Sequence, residues 1–188
     1  MKYALLFCLL FSVTAFALDP GSKAADFSLN NTDGKTVKLS DYQGKNVVVI
    51  FVATRCPYSN AFNNVMEQLA KDYAAKGVSF VGINSNKTES VQEVAQHTQQ
   101  HFTFPVLKDP DSKIADLYQA QVTPEAFVID GTGVIRYHGA LGSSDNPTTN
   151  PDKANSTEIR AALDQLLAGK PIATAKTKAF GCTIKRAS

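Results

Sequence analysis

Three cysteines, at positions 8, 56 and 182, are the residues of this chain best suited to covalent chemistry. Cys56 stands in Ala53-Thr54-Arg55-Cys56-Pro57-Tyr58-Ser59, and Cys182 in Phe180-Gly181-Cys182-Thr183-Ile184-Lys185-Arg186. A thiol attacks as its thiolate, which is favoured where backbone N–H groups or cations face the sulfur. The run Val47 to Val52 is apolar and rich in β-branched residues, so it reads as a central strand buried on both faces. Pro57 suits the first turn of a helix. Cys56 is therefore predicted at a strand-to-helix junction, where unpaired N–H groups and the positive helix end favour an anion. Arg55 would add positive potential if its side chain turned toward the sulfur. The alternative is an inert cysteine buried at the end of a core strand.

The N-terminus bears on the pairing of these thiols. Lys2 precedes a nearly continuous apolar stretch, Tyr3 to Phe16, and Ala15-Phe16-Ala17 places small residues where a signal peptidase reads. Residues 1–17 are expected to be a signal peptide cleaved after Ala17, giving a periplasmic or secreted protein. An uncleaved anchor is the alternative, and no later stretch is apolar for long enough to span a bilayer. Export removes Cys8 and leaves Cys56 and Cys182, an even pair that is a disulfide candidate in an oxidising compartment. The remaining 171 residues suffice for one domain with a single core. The formal charge of +2 falls to +1 with the loss of Lys2, which gives no electrostatic footprint for nucleic acid. Lys170, Lys176, Lys178, Lys185 and Arg186 are dispersed and read as a solvated, flexible tail.

The elements that must hold Cys56 follow from periodicity and turn signals. Phe27 to Leu39 reads as a β-hairpin about Asp33-Gly34, and Ser40-Asp41 caps a short turn ending near Gly44. Pro57 to Lys76 is predicted helical, with Phe62, Val65, Met66, Leu69 and Tyr73 on one face and Gly77 as the stop. A strand over 78–83, a helix over 91–102 and a short helix over 112–118 follow. Strands over 126–129 and 134–137 join through Asp130-Gly131-Thr132-Gly133. A polar loop over 142–153 leads to a last helix with Ile159, Leu163, Leu166 and Leu167 on one face, ended by Gly169 and Pro171. This order implies an α/β fold with a mixed sheet flanked by helices. The boundaries are a signal peptide 1–17, one domain 18–169, and a tail 170–188 carrying Cys182.

The stretch Phe51 to Ser59 resembles the active-site turn of the thioredoxin superfamily, and is most similar to its redoxin (AhpC/TSA-type, peroxiredoxin-like) branch. Ala25-Asp26-Phe27, Asp33-Gly34-Lys35, Leu39-Ser40-Asp41 and Gly44-Lys45 are similar to the N-terminal region of redoxins. Gly82 to Asn86 and the tail 181–186 resemble a peroxiredoxin-like subgroup. The resemblance implies a thioredoxin-like fold with an N-terminal β-hairpin extension, no cofactor, and Cys56 as the attacking sulfur. It further implies that Val122-Thr123-Pro124 is the loop whose cis-proline faces that sulfur, so that the backbone before Pro124 pairs with an extended substrate. Two departures stand out. Ser59 occupies the place of the second cysteine of Cys-x-x-Cys and cannot form a sulfur bond. Val49 and Ala53 occupy the Pro and Thr positions of the peroxiredoxin pattern, and Thr54, one position along a strand, points to the opposite face.

These residues support three readings. The first is an exported thiol-disulfide oxidoreductase: Cys56 is the nucleophile, Cys182 resolves, and Thr54, Arg55, Pro57, Thr123 and Pro124 line the substrate side. Its partners are protein or small-molecule thiols and disulfides and an external reductant, with no nucleic acid and no stable membrane span after cleavage. The second is a thiol peroxidase in which Cys56 becomes a sulfenic acid and condenses with Cys182. The third is a non-catalytic module, stapled by the disulfide or holding copper through Cys56, Cys182 and His138. His97 and His101 share a helix side and read as solvated.

Overall fold

The computed structural model describes residues 18–142 and 153–187. The signal-peptide expectation for residues 1–17 and most of the polar loop, residues 143–152, lie outside this description.

The hairpin forms as strands β1 (Ser28–Asn31) and β2 (Thr36–Lys38), and a single 3₁₀ turn follows at Leu39–Tyr42. The apolar run forms β3 (Asn46–Phe51). The helix predicted over 57–76 is broken: α1 is Pro57–Ala61 and α2 is Asn63–Ala74, with Phe62 between them at ψ 0°. β4 (Val78–Asn84) and α3 (Val91–His101) come next. β5 (Val106–Lys108) is a strand that periodicity did not reveal, because three residues are too few to show one. α4 (Lys113–Leu117), β6 (Val122–Thr123), β7 (Glu125–Ile129), β8 (Ile135–Gly139) and α5 (Thr157–Leu167) complete the domain. A final short strand, β9 (Cys182–Thr183), lies in the tail.

Seven of the described strands form one mixed sheet in the order β2-β1-β5-β4-β3-β7-β8. β3, β4 and β5 run parallel, as strand–helix–strand crossovers require, while β1, β2, β7 and β8 pair antiparallel. β3 is central, and its side chains alternate between two cores. Val48, Ile50 and Val52 face one with Phe62, Met66 and Leu69 from the α1–α2 region, Val94 of α3, and Ile159 and Leu163 of α5. Val47, Val49 and Phe51 face the other with Phe27, Ala115, Tyr118 and Phe127. Burial on both faces explains why this run carries no polar alternation.

The tail departs from the flexible segment expected. Ala175 and Thr177 of the tail exchange backbone bonds with His138 of β8: His138 N–H donates to Ala175 O (3.0 Å) and Thr177 N–H to His138 O (3.0 Å), covering the edge strand. The chain then enters a separate two-stranded sheet, where β9 pairs antiparallel with β6, Thr123 opposite Cys182 and Val122 opposite Thr183. Ile184 is buried in the second core. Arg186 Nε reaches Asp116 Oδ1 at 2.6 Å, and Lys176 pairs with Asp19. Dispersed basic residues looked solvated in sequence because their partners lie far away along the chain.

Candidate active site

β3 ends on a loop that delivers Cys56 to the N-cap of α1, with extended backbone at φ −87° and ψ 116°. Its Sγ accepts the Ser59 N–H at 3.3 Å and lies 3.3 Å from the Thr123 carbonyl oxygen. The residue is 4% exposed. Pro57 occupies the first helical position, where a missing N–H costs nothing. Because α1 has only five residues, its macrodipole is small, and the local Ser59 N–H is the main backbone partner of the sulfur.

Cys56 is bonded to Cys182, 126 residues away, with Cα atoms 5.9 Å apart. The Thr123–Pro124 peptide is cis. The site thus joins three segments remote in sequence: the β3–α1 turn, the β6 loop and the tail. Among the residues expected to line it, Thr123 pairs with Cys182 and faces the Cys56 sulfur. Thr54 and Arg55 flank it through their backbones. The Arg55 guanidinium turns away, to Glu93 of α3, with Nε 3.2 Å from Glu93 Oε1. That pairing pulls the Glu93 carboxyl down to about 2, helped by the bonds it accepts from Ser90. Ser59 is fully buried, and its hydroxyl accepts the Ala53 N–H at 3.1 Å. The serine at the place of a second cysteine therefore closes the β3 end.

Glu89 is a site residue that sequence reasoning missed. Its buried carboxylate accepts the N–H groups of Thr54 (3.0 Å) and Arg55 (2.8 Å) and the Asn84 side chain (2.5 Å). It fixes the turn that presents Cys56. Lys108 lies behind it, donating to Asn84 Oδ1 (2.8 Å) and Asn86 O (2.6 Å). Burial lowers the Lys108 ammonium, and the Glu89 and Asp109 carboxylates oppose that shift. No sequence pattern marks Glu89, since a glutamate before a helix ordinarily reads as a surface residue. Beyond Pro124, buried Glu125 braces β6. Its Oε2 accepts the N–H groups of Gln121 (2.8 Å) and Val122 (3.2 Å), and its Oε1 lies 2.6 Å from His138 Nε2. Burial alone would raise the Glu125 carboxyl; the bonds from His138, Gln121 and Val122 outweigh it and hold the group below its ordinary value.

The reading that placed His138 with both cysteines around copper meets a different arrangement. The imidazole is bonded to Glu125 and stacked on Phe127 at 4.1 Å between ring centroids. Among the described residues no group of three His, Cys, Asp or Glu side chains is placed to hold a metal. His97 and His101 do share a helix side, 4.5 Å between ring centroids, but His97 is half-buried against Asn60 and Asn63.

Residues 20–138 match the AhpC/TSA family. The chain belongs to the AhpC/TSA family. The matched span of this AhpC/TSA protein contains the β3–α1 turn and the cis-proline loop, and ends before the tail. Over 128 residues the chain is 36% identical to the thiol-disulfide oxidoreductase ResA of Oceanobacillus iheyensis, covering 64% of this chain and 66% of that one. The chain therefore spans just under two thirds of that relative's length. It is 32% identical over 120 residues to a Mycobacterium tuberculosis protein that bears a peroxiredoxin name, covering 63% and 75% of the two chains. Among solved structures, a hypothetical protein of Sinorhizobium meliloti 1021 superposes with a TM-score of 0.82 at 31% identity, over 90% of this chain and 95% of that one. The thioredoxin-like architecture implied by the redoxin resemblance is therefore the fold of this chain. Among the described residues no helix is long and apolar enough to cross a membrane.

Proposed function

We propose that this protein is an exported thiol-disulfide oxidoreductase in which Cys56 is the nucleophile and Cys182 its distant resolving partner. The observation that carries the reading is the Cys56–Cys182 bond itself, set at a helix N-cap and against the Thr123 carbonyl. A staple needs neither feature. The similarity to a thiol-disulfide oxidoreductase supports the same chemistry.

The cycle starts from the dithiol. The Cys56 thiolate, stabilised by the Ser59 N–H, attacks one sulfur of a substrate disulfide, and the other sulfur leaves as a thiolate. The Cys182 thiolate then attacks the Cys56 sulfur of the mixed disulfide. This forms Cys56–Cys182 and expels the remaining substrate thiolate. The substrate gains two electrons, the protein loses them, and an external thiol reductant restores the dithiol. Thr54, Arg55, Pro57, Thr123 and Pro124 line the approach in this reading. Residues 1–17 direct export and are removed, 18–169 form the redoxin domain, and 170–188 deliver the resolving thiol.

Replacing Cys182→Ser tests the assignment. Incubated with a disulfide substrate, the reduced variant should accumulate a mixed disulfide on Cys56, seen by intact mass. If no adduct accumulates while the wild type turns over, Cys182 does not resolve. A thiol-peroxidase reading is favoured by the relative with a peroxiredoxin name. Against it, Ala53 offers no hydroxyl to orient a peroxide. Stopped-flow oxidation of the dithiol by hydrogen peroxide separates the two readings: a rate no faster than that of a free thiol removes the peroxidase.

A further inference from the structure

The disulfide places the tail in an unusual position for a resolving segment. Cys182 is paired in register with Thr123, and beyond it the chain continues along the same edge through Thr183 and Ile184. Ahead of it, the Phe180 ring stands edge-on to Tyr58 (6.0–6.3 Å between centroids here and at Phe62). Gly181 has φ +151°, and a Cβ there would collide with the Thr123 carbonyl, 2.7 Å from its carbon. Only glycine fits immediately before the cysteine. Past the cysteine, Ile184 N–H donates to Gln121 O (3.0 Å) and its side chain is buried. Lys185 N–H donates to Asn86 Oδ1 (2.6 Å), and Arg186 reaches Asp116 (2.6 Å).

In a mixed disulfide, the substrate sulfur bonded to Cys56 must stand where the Cys182 sulfur stands now. Cys56 is almost fully covered, so a polypeptide substrate can reach it only by replacing the tail. The backbone edge of β6, the Tyr58–Phe62 aromatic surface, the Ile184 pocket and the Asp116 carboxylate then become available to the incoming chain. We propose that this groove is an acceptor site for an extended polypeptide segment of pattern aromatic-Gly-Cys-x-aliphatic-x-Arg, and that residues 180–186 are its built-in stand-in. The proposal rests on Cys56 being the nucleophile and adds what the site selects. Backbone pairing supplies affinity, and the glycine requirement and the aliphatic pocket supply specificity. Thiol exchange in this protein is accordingly also a strand exchange: tail and substrate alternate on one edge.

The test uses reduced full-length protein carrying Cys182→Ser. Its probe is a synthetic peptide of residues 179–187 whose cysteine is activated as a mixed disulfide with thionitrobenzoate. Chromophore release reports the second-order rate at Cys56. The same peptide with Gly181→Ala, the same peptide with Ile184→Asp, and glutathione activated in the same way serve as comparisons. The parent peptide is expected to react at least about tenfold faster than each, the discrimination that one collision or one lost aliphatic pocket readily supplies. A smaller advantage over either variant or over glutathione overturns the proposal and leaves the nucleophile assignment standing. Failure of every probe, glutathione included, overturns that assignment and the proposal with it. Repeating the ratios on reduced wild-type protein removes any dependence on how the variant folds.

Discussion

Reducing the Cys56–Cys182 bond should destabilise the protein by a calculable amount. The bond joins residues 126 apart, so it closes most of the domain into one loop. The chain-entropy relation assigns such a loop a loss of about 16 cal/mol/K in the unfolded ensemble, or about 5 kcal/mol at 25 °C. The native state does little to offset this. Reduced Cys56 keeps both hydrogen-bond partners, with the Ser59 N–H to accept and the Thr123 carbonyl for its S–H, each at 3.3 Å. The thiol is therefore not left buried and unsatisfied, and the difference lies in the unfolded chain. With a urea m-value of about 2 kcal/mol/M, the midpoint of the reduced protein should fall by about 2.5 M. Thermally, the same change corresponds to a drop of about 10–20 °C for a domain of this size. Equilibrium urea denaturation with and without reductant, followed by far-ultraviolet circular dichroism, measures it. Cys182→Ser without reductant should reproduce the reduced midpoint, which ties the effect to this bond. Coincident midpoints for oxidised and reduced protein would refute the reasoning, because a loop of this length cannot close without restricting the unfolded chain.

Ser59→Ala should cost about 1–3 kcal/mol in urea denaturation, because the buried Ala53 N–H loses its acceptor; a loss below 0.5 kcal/mol would be about that of an exposed site. Glu125→Ala leaves the N–H groups of Gln121 and Val122 without this acceptor and the half-buried His138 without its hydrogen-bond partner, at a cost of about 2–4 kcal/mol. Glu125→Gln, which retains an acceptor, should cost less, and hydrogen exchange at Ile184 should rise more in the alanine variant; equal costs would contradict the bracing role. Burial, then the neighbouring His101, lower His97 to about 4, so the unfolded chain binds more protons than the native protein between pH 4 and 6.5. Stability should therefore be full above pH 6.5 and fall as the pH drops toward 4, and His97→Gln should flatten that slope in urea denaturation across the window.

The parts of this structure that were legible in the sequence are those encoded locally. The unbroken apolar run of β3, the Pro57 start and the heptad-like spacing of Met66, Leu69 and Tyr73 each state their structure within a few residues. Cys56 was legible because its surroundings are the end of one such element and the start of the next. What escaped was set by tertiary contact. β6 and β9 have two residues each and exist only because they meet each other. The break at Phe62 separates two helical segments that share one apolar periodicity. Glu89 and Glu125 look like ordinary surface carboxylates until the fold sets amide N–H groups around them. Arg55 shows the opposite failure: its position beside Cys56 suggested help for the thiolate, but Glu93 lies closer to its guanidinium.

These contacts also account for the absence of a local sulfur partner. At position 59 the side chain is fully buried and bonded to the backbone at the end of β3, a task a hydroxyl performs and a thiol performs weakly. The partner sulfur is delivered instead by a tail held at four kinds of point: the β8 edge, the aromatic surface of Tyr58 and Phe62, the β6 edge, and the Asp116 carboxylate. In a Cys-x-x-Cys turn the two sulfurs stay within one helical turn whatever the rest of the molecule does. Here their meeting depends on docking, so forming the bond and seating the tail are one event. Under the proposed strand exchange, sulfur chemistry at Cys56 is thereby coupled to which polypeptide strand occupies the edge of β6.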